Sequence, residues 1–105
     1  MGPVILSIKD SVTCSSRFRL RLGKPSPGIP LNITLFSAQP EGMHLGREVV
    51  TSGLYSDAVS GVVTSQAQIA PGRYLLVPST HSPGLEKEFV IVMWSNIALD
   101  FKRVR

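Results

Sequence analysis

The sequence predicts an all-β fold, an antiparallel eight-stranded β-sandwich or barrel formed as a single domain over residues 1–105. Three observations carry the prediction. No segment of helical length repeats its apolar residues with a 3.6-residue period. Short apolar runs instead recur at near-regular spacing, broken by Pro, Gly, Ser and Asn. Within several runs apolar and polar residues alternate, as in strands with one buried and one wet face. Strands are expected at residues 4–8, 17–22, 31–36, 47–50, 62–69, 73–77, 88–94 and 97–102.

"VILSI" opens the chain as a short apolar strand. In "RFRLRL" the residues Phe18, Leu20 and Leu22 share one face, while Arg17, Arg19 and Arg21 share the other. "GKPSPGIP", residues 23–30, is proline-rich and long enough to cross from one sheet to the other. The third strand holds Asn32-Ile33-Thr34, a formal glycosylation sequon placed inside a strand. "REVV" forms the fourth. In "VVTSQAQI" Val63, Ala67 and Ile69 are expected inward, and Thr64, Gln66 and Gln68 outward. Pro71-Gly72 suits the centre of a type II turn, because Pro presets φ and Gly accepts positive φ. It is expected to join the fifth and sixth strands as a hairpin. Pro78 cannot donate a ladder hydrogen bond, so the sixth strand should end there or run along an edge. Pro83-Gly84 offers the turn device again.

"EFVIVMW" breaks the alternation. Phe89, Ile91 and Met93 share one face, and the equally apolar Val90, Val92 and Trp94 share the other. That outer side should be covered by a loop or dock something. The last strand, "IALDFK", sets Ile97, Leu99 and Phe101 against Ala98, Asp100 and Lys102.

Composition bounds the function. A chain of 105 residues buries roughly 65% of its unfolded surface, enough for one core without staples. No apolar run approaches the ~20 residues of a membrane span. "VILSI" is too short, and lacks the basic flank, for a signal peptide. Leu6 stands where a myristoylation motif needs Ser or Thr. The single cysteine, Cys14, excludes an internal disulfide and favours a reducing compartment.

No constellation in the sequence supports chemistry. Cys14, His44, His81, Asn32 and Asn96 supply the letters of a cysteine protease. Yet Cys14 sits in "VTCSSR", with no helix N-terminus to lower its pKa. The two histidines have no carboxylate beside them, and the seven acids are scattered, so neither a metal site nor a calcium site is expected. No glycine run cradles a phosphate. The expectation is no catalytic residue, no metal and no cofactor.

The positive signal is basic. The formal net charge is +4 and the sequence pI about 9.7. Arg17, Arg19 and Arg21 should line one strand face about 7 Å apart, with Lys24 just beyond; Lys102, Arg103 and Arg105 close the chain. Such a row can take carboxylates or phosphates bidentately, or be a solvated face paired with the domain's own acids. Aromatic residues do not interleave it, so nucleic acid is not expected.

"PGRYLLVPSTHSPGLEKEF" resembles the non-catalytic β-sandwich of calpain-type cysteine proteases, called domain III. The matching positions are Pro71, Gly72, Tyr74, Val77, Pro78, Ser79, Thr80, Pro83, Glu86 and Phe89. His81 stands where the family usually has Phe, and Lys87 where Gly is usual. An Arg usual in the final strand of the motif is missing from "VIVMWS", and the acidic loop of conventional calpains is missing too. The resemblance therefore leans to the atypical, calcium-independent branch that includes the fungal PalB-like calpains. It implies a domain excised from a larger protease, accompanied by a protease core and, in some parents, a second sandwich. The outer side of residues 88–94 then gains a reading, as a surface that docks a neighbouring domain. The resemblance further implies an intracellular, cytoplasmic setting, endosome-associated at ESCRT assemblies for PalB-like relatives. The role expected of this domain is to position or regulate the protease through an acidic protein partner, with anionic phospholipid as the alternative.

Overall fold

The computed structural model describes residues 3–8, 14–24, 28–38, 45–56, 60–81, 88–97 and 99–103. Glu86, His44 and the Pro83-Gly84 turn lie outside these residues. Nine strands form in chain order: β1 (Val4–Ile8), β2 (Cys14–Leu22), β3 (Leu31–Ala38), β4 (Leu45–Thr51), β5 (Val62–Val63), β6 (Ala67–Ile69), β7 (Gly72–Thr80), β8 (Phe89–Ser95) and β9 (Asp100–Arg103). The larger sheet runs β4-β3-β7-β1-β9. In the smaller sheet β2 is central, with β8 along one edge and β5 and β6 along the other. Every pairing is antiparallel. The expected sandwich is present, and residues 23–30 carry the chain between sheets as expected, from β2 to β3.

Alternation builds the core. Leu6 of β1, Phe18 and Leu20 of β2, Ile33 and Leu35 of β3 and Leu76 of β7 are fully buried between the sheets. Each contributes roughly 1.5–3 kcal/mol of burial. β2 carries the cleanest pattern, with every second residue from Cys14 to Leu22 buried.

The fifth expected strand is divided, and this overturns one sequence expectation. Val63 pairs with Arg19, whereas Ala67 pairs with Ser16. Three residues, 64–66, therefore face two on β2, which is a β-bulge. The extra residue reverses the parity of the first half. Val62 and Thr64 point inward, while Val63 is 49% exposed. Thr64 is tolerated in the core because its hydroxyl accepts the Phe18 N–H at 3.1 Å and donates to the Ser65 carbonyl at 2.9 Å.

Pro71-Gly72 closes no hairpin. β6 belongs to the smaller sheet and β7 to the larger, so the turn is a corner that crosses the sandwich. Gly72 has φ +148°, which an L side chain rarely adopts. The Tyr74 hydroxyl closes the corner by donating to the Ala70 carbonyl at 2.6 Å. Burial holds its pKa above the ordinary tyrosine value. The geometry is that of a tyrosine corner.

Pro78 does not end its strand. β7 continues to Thr80, and Pro78 is buried opposite Ile33 of β3. β1 pairs only as far as Leu76, so beyond that point β7 keeps β3 as its one partner among the described residues. A missing N–H on the open side costs no ladder bond.

The smaller sheet has four strands to the larger sheet's five, and it is narrower still because β5 and β6 share one edge. Phe101 of β9 shares the inner face with Leu6, its register partner, yet is 61% exposed. With Val4, Phe89, Ile91 and Met93 it lines an open apolar cleft of about 190 Å³.

Candidate docking face

The arginine row lies on the outer face of the smaller sheet. Phe18, Leu20 and Leu22 are buried, which turns Arg17, Arg19 and Arg21 outward. Register then sets each arginine directly opposite an apolar residue of β8: Arg17 opposite Trp94, Arg19 opposite Val92, and Arg21 opposite Val90. Cβ atoms of such pairs lie about 4.5–5.5 Å apart, within reach of a long side chain. Val90 and Val92 are only half-exposed. The outer side of β8 is thus flanked by arginine stems, which are apolar below their charged heads.

The three heads are held differently. The Arg17 guanidinium carbon lies 4.3 Å from the centre of the Trp94 ring, a cation–π contact. Arg19 donates to the Ser60 carbonyl through Nε, at 3.1 Å, and also through Nη2. Arg21 Nη1 donates to the Leu22 carbonyl at 3.3 Å. No carboxylate pairs with any of the three among the described residues.

Lys24 is exposed just past the end of β2. Lys102 is far from the row. It pairs with Ile5 on the outer face of the larger sheet, on the opposite side of the sandwich. Lys102 therefore does not extend the arginine row. Beyond Arg17 the face is polar and uncharged, with Gln66 and Gln68 donating to the Ser15 hydroxyl. Beside Arg19, Val63 completes a Val92–Arg19–Val63 row. Two contributors, Trp94 as a ring under Arg17 and Val63 as an exposed apolar residue, could not be read as such from sequence. Outward parity was visible for Trp94, but only register puts it beside Arg17, and the bulge hid Val63.

The residues whose types suggested a protease are dispersed. Cys14 is fully buried, its Sγ 3.0 Å from the Ser95 hydroxyl. His81 follows β7 at the other end of the sandwich and meets Tyr55 edge to face at 5.3 Å. The Asn32 amide is engaged with Thr51, Ser52 and Gly53, and Asn96 accepts the Ser15 N–H. No group of three His, Cys, Asp or Glu residues is placed to hold a metal among the described residues.

The motif residues that the structure describes sit at a corner, in the core and along strands. Pro71, Gly72 and Tyr74 form the corner, and Pro78 is core. Ser79 accepts or donates to the Tyr55 hydroxyl at 2.9 Å, and Thr80 pairs with Leu31. Phe89 ends the β2–β8 ladder opposite Leu22.

Comparison with known proteins agrees with this architecture. The family described as calpain large subunit, domain III, matches residues 36–94. The chain is 41% identical over 81 residues to the calpain-like protease palB/RIM13 of Cryptococcus neoformans var. neoformans serotype D, in both strain JEC21 and strain B-3501A. The match covers 77% of this chain and 10% of each relative, so the chain spans about a tenth of the length of the curated relatives it matches. The chain belongs to the calpain large-subunit domain III family.

Proposed function

We propose that this is a non-catalytic accessory domain of a longer, calpain-like intracellular cysteine protease. It positions the protease core by docking a protein partner on the outer face of the smaller sheet. One observation carries the docking reading: three arginines in register with Trp94, Val92 and Val90, with no carboxylate of the described residues opposite them. Arg and Trp are the residue types that dominate binding energy at protein interfaces. Charge complementarity would make the contact fast and salt-sensitive. We infer for it the intracellular, endosome-associated setting that its resemblance to PalB-like calpains implies.

A membrane is the second reading, favoured by Leu54, which is 92% exposed in the β4–β5 connection. The same connection supplies the Ser60 carbonyl that holds Arg19. Each basic residue near an anionic bilayer contributes about 1 kcal/mol. Flotation with phosphatidylserine-containing liposomes, at low and physiological salt and with or without calcium, separates the two. The protein-docking reading expects the domain to stay unbound at physiological salt. Flotation that is lost in Arg17→Ser/Arg19→Ser/Arg21→Ser would replace it with lipid targeting.

A further inference from the structure

Arg17, Arg19 and Arg21 carry equal charge but unequal hydrogen-bonding commitments. Arg19 directs two of its N–H groups at the Ser60 carbonyl, and Arg21 directs one at the carbonyl of Leu22. Both side chains are half-buried. Arg17 is exposed and donates no side-chain hydrogen bond among the described residues; its guanidinium lies over the Trp94 ring. A guanidinium carries its five N–H donors in its own plane. The Trp94 ring, its centre 4.3 Å from the guanidinium carbon, restrains the head electrostatically and presents no oxygen acceptor to its N–H groups. Restraint of this kind removes part of the ordering cost of binding.

We propose that Arg17 and Trp94 form the anchor of the docking face, a receptor for a carboxylate side chain on an acidic protein segment. The inference deepens the protein-docking reading above and rests on it. Arg17 supplies a bidentate fork that matches a carboxylate. Trp94, 40% exposed, and Val92 beside it form an apolar shelf for the residue next to that carboxylate. Ser15, Gln66 and Gln68 border the anchor without opposing charge. Arg19 and Arg21 act mainly in packing the face, with their heads already satisfied by backbone. A phosphate-rich surface would be better served by several free cationic heads, and two of the three here are committed.

The probe is poly-L-glutamate, and Trp94, the single tryptophan, reports occupancy through its emission. Affinity for fluorescently labelled poly-L-glutamate is then compared across variants that each remove one positive charge. Arg17→Gln should weaken binding about 10-fold or more, the worth of a charge-assisted hydrogen bond. Arg17→Lys should weaken it as well, although net charge is kept, because a lysine has no planar fork. Arg19→Gln and Arg21→Gln should cost below about 3-fold, within the range of exposed ion pairs. Thermal melts of each variant identify any loss that comes from unfolding. Equal losses for all three Gln variants would show diffuse charge and overturn the anchor while leaving a basic docking face. No change in Trp94 emission at saturating poly-L-glutamate would overturn the anchor as well. Vesicle binding with the same Arg17 dependence, and none to poly-L-glutamate, would overturn the protein-docking reading itself.

Discussion

Tyr74→Phe tests whether the "PGRY" motif is a structural corner. The substitution keeps the buried ring and removes the hydroxyl that donates to Ala70 across Pro71 and Gly72. A typical intramolecular hydrogen bond contributes about 0.5–1.5 kcal/mol net. Ala70 is exposed, so its freed carbonyl can recruit water, and the cost should stay within that range. For a domain of this size about 1 kcal/mol lowers Tm by roughly 4–8 °C. Alkaline pH supplies a second signature. Burial raises the folded-state pKa of Tyr74 above its ordinary value, so the unfolded chain loses this proton first. The associated stability is full below about pH 10 and falls as pH rises through the folded-state pKa. Urea denaturation of wild type and Tyr74→Phe, at neutral pH and at a series of values above pH 10, reads both effects. Equal stability of the two proteins at neutral pH, or an unchanged alkaline slope in Tyr74→Phe, would refute the corner.

The packing around β2 sets further expectations. Gly61 has φ +96°, and a Cβ there would press on the Leu20 carbonyl and lie 2.8 Å from the Arg21 Cβ. Gly61→Ala should therefore cost roughly 2–5 kcal/mol, from left-handed backbone strain and overpacking; a loss below ~1 kcal/mol in urea would mean that the β5 entry relaxes freely. Thr64→Val deprives the Phe18 N–H of its hydroxyl acceptor and should cost about 1–3 kcal/mol. A neutral or stabilising result in thermal melts would speak against the bulge. Phe18→Ala should cost about 3–5 kcal/mol, whereas Phe101→Ala should cost below about 1 kcal/mol. Similar losses for the two, measured by urea, would place β9 under cover that the sandwich does not supply.

The sandwich was legible because short runs recur at near-regular spacing and the clearest of them alternates. "RFRLRL" in β2 sorts into faces with no knowledge of partners. Two features escaped for reasons of physics. The bulge at residues 64–66 inserts one residue that reverses parity, and no propensity in "VVTSQAQI" marks it. Pro71-Gly72 was legible as a turn, yet turn chemistry is the same for a hairpin and for a corner between sheets. Pro78 was read as a strand end or an edge position, and the edge position is what the structure shows, since its open side carries no described strand. The docking face was half legible. The arginine row follows from alternation alone, and the two-sided apolar character of residues 88–94 was visible. Their pairing was not, since the antiparallel register of β2 with β8 is a long-range property. Neither were the separate engagements of Arg17, Arg19 and Arg21, which depend on Trp94 and Ser60.

The central claim is that the outer face of the smaller sheet positions a protease. It is tested most directly within the calpain-like parent chain proposed above for this domain. Arg17→Ser/Arg19→Ser/Arg21→Ser would be introduced there, and cleavage of the protease's cellular substrate compared with wild type at matched protein levels. The account predicts that cellular processing falls sharply while the isolated variant domain still melts cooperatively. Undiminished processing by a folded variant would contradict it.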